Sequence, residues 1–295
     1  MIDHEATPLT FKKWTIGDVT VTRVLEMDQL TLTPEYLLKT DAATVKKHQW
    51  LQPTFANAEG QLNLHIQAFI VETSGLKIMV DPCIGNDKPR KSAYFAMHKG
   101  PFLGHLALAG FSPESIDVVL CTHLHVDHVG WNTRLVDGKW VPTFPNARHL
   151  FARVEYEYAK VVTNEEGESE AVYLDSIKSV VDAGLVDLVE VNHRITDEVW
   201  LDPTPGHTPG HCCIHISSKG QEAIITGDMM HHPVQACEPD VCSTFCEDEE
   251  LARSTRKEFL RKYSDKPTIV LGTHFAGPTG VHVKRDGEVW RMEDA

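Results

Sequence analysis

Hydrophobic and polar positions along this chain fall mostly into short runs and alternations, and that patterning predicts a series of strands. Trp14-Thr15-Ile16 and Val19 to Leu25 are two β-rich runs around Gly17-Asp18, a hairpin signal. His65 to Val71 and Lys77 to Val80 form a second pair around Thr73-Ser74-Gly75, ending at Asp81-Pro82. Ile116 to Cys121 is nearly continuous apolar sequence, as expected of a strand buried on both faces. Further strands are expected at Leu185 to Val191, Glu198 to Leu201, Cys212 to Ile216, Ala223 to Thr226 and Thr268 to Leu271. Helices fit Arg153 to Val162, Asp175 to Ala183 and Asp248 to Lys262, and Ser112-Pro113 carries a helix start, with serine at the cap and proline next. Thr31 to Asn63 is irregular and reads as an insertion. Strands interspersed with helices indicate an α/β or α+β fold whose strand-end loops are available for chemistry.

No repeat, low-complexity tract or Gly/Ser linker divides the 295 residues, so residues 1–295 are expected to form one domain. Hydrophobic residues are 42% and charged residues 24%, enough to build a core, and this excludes disordered and collagen-like classes. No apolar run approaches the roughly 20 residues of a membrane span. Met1 to Glu5 has neither the basic start nor the apolar stretch of a signal peptide, so the expected location is the cytoplasm, with no membrane partner. A net charge of -14 opposes phosphate neutralisation and disfavours a nucleic-acid partner. The partner expected is a small-molecule substrate, with a homodimer left open. Seven cysteines, an odd count without a secretory signal, fit reduced thiols. Histidine is the unusual component, with 17 residues, many of them bunched.

The densest bunch is Thr122-His123-Leu124-His125-Val126-Asp127-His128, directly after the apolar run ending at Cys121. In extended backbone His123 and His125 share a face and can converge on one cation, while Asp127 and His128 can turn toward a second. Imidazole nitrogen and carboxylate oxygen suit zinc, and also iron or manganese. A single histidine would be read as an ordinary polar loop residue. Three later positions argue otherwise, because His207, Asp228 and His274 each follow a strand-like run.

These residues carry a family resemblance. His123-x-His125-x-Asp127-His128, Thr204-Pro205-Gly206-His207-Thr208-Pro209-Gly210-His211, Gly227-Asp228 and Gly272-Thr273-His274 resemble, in order and spacing, the metallo-β-lactamase fold superfamily of metallohydrolases. The resemblance covers about Val19 to Val283. It implies a four-layer αββα sandwich of two similar halves with a dinuclear site at the edge of its sheets. It assigns one metal to His123, His125 and His207, the other to Asp127, His128 and His274, and a bridging role to Asp228. Two divalent ions, zinc first and iron or manganese as alternatives, would lower the pKa of a shared water and polarise the bond attacked by metal-bound hydroxide.

Among the family's branches, retention of Asp228 disfavours β-lactamase activity, and the chain has no room for the flavodoxin domain of flavodiiron oxygen reductases, which usually place glutamate at the position of His125. No nuclease-specific domain is evident. The full ligand set resembles lactonases, organophosphate hydrolases and glyoxalase II-type thioesterases. Lactone or ester hydrolysis is therefore the leading expectation, with phosphotriester or thioester hydrolysis as alternatives and an iron-dependent sulfur dioxygenase as an alternative of another class. The lactonases commonly carry tyrosine three residues after the bridging aspartate, where this chain has His231, a group able to donate a hydrogen bond or shuttle a proton. Asp127 and His231 are the candidate catalytic residues; His231 and His232 read equally well as supporting residues, as does His211. Asp81 resembles the family aspartate that supports a metal-bound histidine. Trp131, Phe275, Trp50 and Phe55 are candidates for an apolar pocket wall, with core packing or a subunit contact an equal explanation. Cys237, Cys242 and Cys246 match no familiar zinc spacing and read as free thiols.

Overall fold

The computed structural model describes residues 11–162 and 168–295. Residues 1–5, on which the expectation about a signal peptide rests, lie outside them. Along the chain the strands are β1 (Phe11–Ile16), β2 (Val19–Leu32), β3 (Leu62–Thr73), β4 (Leu76–Val80), β5 (Val118–Leu120), β6 (Thr133–Val136), β7 (Lys139–Pro142), β8 (Arg148–Ala152), β9 (Val186–Val189), β10 (Val199–Pro203), β11 (Cys212–Ser218), β12 (Gln221–Ile225), β13 (Ile269–Leu271), β14 (Gly280–Asp286) and β15 (Val289–Asp294). The α-helices are α1 (Pro34–Leu37), α2 (Ala42–Lys46), α3 (Phe102–Leu108), α4 (Arg153–Val162), α5 (Glu168–Val172), α6 (Lys178–Asp182), α7 (Val234–Cys237) and α8 (Glu249–Tyr263). Among the described residues no helix is long and apolar enough to cross a membrane.

Seven strands form one sheet in the order β1-β2-β3-β4-β5-β8-β9, six form another in the order β10-β11-β12-β13-β14-β15, and β6 pairs only with β7. Side-chain alternation turns these sheets into layers. Val118 and Leu120 belong to an apolar layer shared with Ile214, Ile216, Ile225 and Leu271 of the second sheet, so this layer lies between the sheets. Val119, one position along, belongs instead to the cluster containing Phe102 and Leu106 of α3 and Tyr156 of α4. Ile224 and Val270 likewise join Phe259 and Leu260 of α8. A strand buried on both faces therefore needs no polar alternation, which is why β5 reads as a continuous apolar run. The result is helix, sheet, sheet, helix: the mixed α/β metallo-β-lactamase architecture expected from the motifs.

The first hairpin forms as expected, with Ile16 paired to Val19 across Gly17-Asp18. Elsewhere boundaries move. β2 continues to Leu32 through two register shifts, and its partner β3 begins at Leu62, so the two long strands reach into residues that look irregular in sequence. The stretch between them holds α1, α2 and a 3-10 turn at Gln49–Leu51. The start signal at Ser112-Pro113 gives the short turn expected before β5, a 3-10 turn at Pro113–Ser115. The helix expected from Asp175 opens instead as a π-helical turn, Tyr173–Ile177, continued by α6.

That π turn is held by buried charge. Arg90 grips Asp175 with both terminal nitrogens, at 2.6 and 2.8 Å. The fully buried Lys88 donates to Thr133 Oγ1 at 2.8 Å and to the Asp175 carbonyl at 3.1 Å, with its ammonium 3.9 Å from the Trp140 ring centroid. Asp175→Ala would leave two cations without their carboxylate, and stripping one partner from a buried pair costs about 3–5 kcal/mol. Chemical denaturation should show a loss of this size; a loss under about 1 kcal/mol would mean that the cations find other compensation.

Candidate metal centre

Each candidate ligand is delivered where a strand ends. β5 runs into residues 122–128, the loop between β10 and β11 carries His207, a 3-10 turn after β12 carries Asp228, and the turn after β13 carries His274. The structure brings these seven residues together in two adjoining groups. His123, His125, His207 and Asp228 each offer an atom within 4.8 Å of the others' atoms, and Asp127, His128 and His274 do the same. Asp228 faces both groups. Its Oδ2 lies 3.4 Å from His207 Nε2 and 3.7 Å from His123 Nε2, while its Oδ1 lies 3.0 Å from His274 Nε2 and 3.3 Å from His128 Nε2. His231 is also here, its Nε2 3.1 Å from Asp228 Oδ2, without hydrogen-bond alignment for either ring nitrogen.

Outward-facing ring nitrogens are held by the protein, which aims the remaining lone pairs inward. His128 Nδ1 donates to Asp81 Oδ2 at 3.0 Å, and His274 Nδ1 donates to the His65 carbonyl at 3.1 Å. His123 Nδ1 lies 3.1 Å from Thr122 Oγ1, whose hydroxyl donates to Asp81 Oδ2 at 2.8 Å; the His123 ring must then be the donor to the hydroxyl oxygen. Asp81 thus supports both groups, accepting from the Thr122 amide as well, and it does so from a left-handed backbone (φ 51) that few non-glycine residues adopt. His207 Nδ1 has the Cys246 sulfur 3.7 Å away.

This arrangement fits a metal pair. Asp228 Oδ1 and His123 Nε2 are buried yet make no hydrogen bond, and His125 Nδ1 and His207 Nε2 approach each other to 2.9 Å. Nitrogen and carboxylate donors converging this closely, with polar atoms left over, form a donor set for a divalent cation. The electrostatics agree. Burial pushes His123 and His207 well below the ordinary imidazole value and lowers His125, which favours the neutral form that can ligate. Burial would lower His128 and His274 too, but Asp228 and Asp127, joined at His128 by Asp81, override it and raise both. For Asp228 burial works upward and is outweighed by His231, His128 and His274, which hold its carboxyl well below the usual range. Carboxylates that draw protons onto neighbouring imidazoles are the groups that would favour a cation there.

The other histidines occupy supporting places. His211 Nε2 accepts the Asp228 amide at 2.9 Å and Nδ1 lies 2.8 Å from Thr204 Oγ1, so the ring fixes the backbone of Asp228, and burial pushes it down to about 3. Gly227, at φ 50, permits this approach, since a Cβ there would sit 2.5 Å from His211 Nε2. His232 accepts from the Val234 amide at 3.0 Å and bonds the Phe55 carbonyl at 2.7 Å. It ties the site to the segment between β2 and β3.

A cavity of about 790 Å³ opens over the site, with His125, Asp127, His207, Asp228, His231 and His274 in its wall. Leu30, Leu64 and Ile66 contribute an apolar side, and Tyr36, Phe95 and Phe245 an aromatic one. The four aromatics expected from sequence are not among its lining residues. Trp131 stacks on Phe102 at 5.5 Å and donates its indole N–H to Glu26 at 2.6 Å, while Phe55 packs edge-on between Trp50 and Phe275. All seven cysteines are free thiols, and none belongs to a metal-holding group among the described residues. Sequence reasoning missed two buried carboxylates that organise the loops. Glu26 accepts the amides of Ile84 and Gly85, next to Asp81, at 2.7 and 3.1 Å. Glu155 accepts those of Leu124 and Gly210 at 3.1 and 3.0 Å.

Known proteins share the family and the fold. The family model described as "Metallo-beta-lactamase superfamily" matches residues 63–274. N-acyl homoserine lactonase AiiA of Bacillus thuringiensis subsp. kurstaki is 24% identical over 226 residues, covering 72% of this chain and 82% of that protein. N-acyl homoserine lactonase AttM of Rhizobium radiobacter is 44% identical over 178 residues, covering 55% of this chain and 60% of that one. Among solved structures, hydrolase AbOPH in the beta lactamase superfamily aligns with a TM-score of 0.81 at 23% identity over 98% of each chain. AidC, a dizinc quorum-quenching lactonase, aligns with a TM-score of 0.79 at 20% identity over 97% of each. The match to the family model takes in well over half the chain and every residue of the two groups, and the chain belongs to the metallo-beta-lactamase superfamily.

Proposed function

We propose that this chain is a dinuclear hydrolase of a small-molecule lactone or ester. The observation that carries the reading is the position of Asp228, whose two oxygens face two separate groups of nitrogen and oxygen donors at the floor of one cavity. His123, His125 and His207 would hold one ion, Asp127, His128 and His274 the other, with Asp228 between them. A metal pair supplies a water ionised near neutral pH and a Lewis acid for the carbonyl oxygen. Zinc is proposed first, because imidazole-rich sites suit it and AidC is described as dizinc; iron and manganese accept the same donors.

The chain's own residues divide the remaining work. Asp127, with 16% of its side chain exposed, is placed to take a proton from the attacking water and return it to the leaving oxygen. His231, in the cavity wall with neither ring nitrogen in an aligned hydrogen bond, is placed to donate to the carbonyl or leaving oxygen. The apolar and aromatic sides of the cavity would take the substrate's hydrocarbon part. The net charge of -14 and a cavity of about 790 Å³ favour a small molecule over a nucleic acid, and the seven free thiols fit a single-domain enzyme of the reducing cytoplasm.

The substrate class is tested by screening metal-loaded protein in parallel against acyl lactones, aryl esters, phosphotriesters, glutathione thioesters and β-lactams. The highest kcat/KM is expected on a lactone or ester. Preference for a phosphotriester or thioester would move the assignment within the hydrolases, and preference for a β-lactam would refute the inference drawn from Asp228. Oxygen consumption with a persulfide, with one iron per chain, would replace hydrolysis by dioxygenase chemistry.

A further inference from the structure

We infer that Glu155 is a positioning residue that sets the spacing of the two loops bearing His123, His125 and His207, and so governs how tightly that group holds its ion. The inference rests on the two-ion reading above. Glu155 stands in the first turn of α4 and is 2% exposed. Its Oε1 accepts the amide of Leu124, the residue between His123 and His125, and its Oε2 accepts the amide of Gly210, three residues beyond His207. One loop leaves the first sheet and the other belongs to the second, so a single carboxylate spans the two halves of the fold.

The second loop is shaped for this contact. A side chain at position 210 would place its Cβ 2.5 Å from the Glu155 nitrogen, so glycine there permits the approach to α4. From the opposite side, the amides of Glu247 and Asp248 at the start of α8 bond the carbonyls of His207 and Gly206, both at 3.0 Å. The His207 loop is therefore clamped between two helix starts. A direct backbone bond from Cys212 to the Thr122 carbonyl, at 3.0 Å, joins the loops at their bases, and Glu155 supplies the tie nearer the ligands. The other group is held elsewhere, His128 by Asp81, which also reaches His123 through Thr122, and His274 by the His65 carbonyl.

An ionised carboxylate is acceptor-only and can serve both amides, whereas glutamine has one acceptor oxygen and a donor nitrogen. Glu155→Gln keeps the volume but leaves one loop amide facing a donor. Loss of such a supporting contact typically weakens a metal about 10–100-fold. Both proteins should be loaded with cobalt and titrated with a chelator, with retained metal and cobalt absorption followed together. In Glu155→Gln one ion should leave at about 10–100-fold lower chelator strength and the other at the wild-type strength, leaving the spectrum of His207→Ala. Equal weakening of both ions, or of neither, would overturn the inference. A wild-type protein that never holds two ions would instead defeat the reading beneath it. If Glu155→Gln does not fold, amide exchange in the metal-free wild-type protein decides. Leu124 and Gly210 should both be protected, and exchange of either at the rate of an open loop would refute the tie.

Discussion

Asp228→Ala is expected to lose both ions and to lower kcat/KM by about 10³-fold or more, roughly 4 kcal/mol of transition-state stabilisation. Its carboxylate faces both halves of the site, with His207 and His123 beside one oxygen and His274 and His128 beside the other. Removal also takes away the charge that holds the pKa values of His128 and His274 up against burial. The variant should nevertheless fold, because the backbone of residue 228 keeps its bond to His211 and the layer between the sheets is untouched. Asp228→Asn separates charge from shape. It should retain more metal than alanine and less than aspartate. Full occupancy at both groups in Asp228→Ala, with kcat/KM unchanged, would contradict the bridging role.

His231→Ala should give the opposite signature, with both ions retained and kcat reduced about 10²–10³-fold, the usual contribution of a positioned proton donor. His231 is three residues beyond Asp228 and lines the cavity, but it belongs to neither ligand group. Its amide bond to Gln235, at 2.8 Å, is made by the backbone and survives the substitution. Steady-state kinetics on the best substrate of the screen, with metal analysis of the same sample, separates chemistry from assembly. Unchanged kcat would reduce His231 to a packing residue, and loss of metal would make it a ligand.

The strand-end positions of His123 to His128, His207, Asp228 and His274 were legible because each follows an apolar run, and a buried strand leaves a strong local signal. The supporting carboxylates were not. Glu26 sits in a strand and Glu155 in a helix, each an ordinary charged letter in its own segment, and their significance comes from amides 58 or 55 positions away. The cavity's aromatic side carries no local sequence signal for a related reason, and the core-packing alternative holds for the aromatics near the motifs. Trp131 and Phe275 are close to the motifs in sequence but face Glu26 and Phe55, whereas Tyr36, Phe95 and Phe245 reach the cavity from distant segments. Two hairpins, by contrast, carried a signal that went unused. Asp137-Gly138 forms the turn of β6–β7 and Gly287-Glu288 that of β14–β15, and Asp-Gly or a leading glycine between β-rich runs is a strong hairpin mark. The π turn at Tyr173–Ile177 has no such mark, since it depends on Arg90 and Lys88, from far earlier in the chain, holding Asp175.

Metal stoichiometry measured alongside activity tests the central claim most directly. Purified protein should contain up to two transition-metal ions per chain, lose hydrolysis of its best substrate when a chelator removes them, and regain it when zinc is restored. The proposed pair of ligand groups around Asp228 predicts that result. Hydrolysis that persists unchanged after complete removal of metal would contradict it.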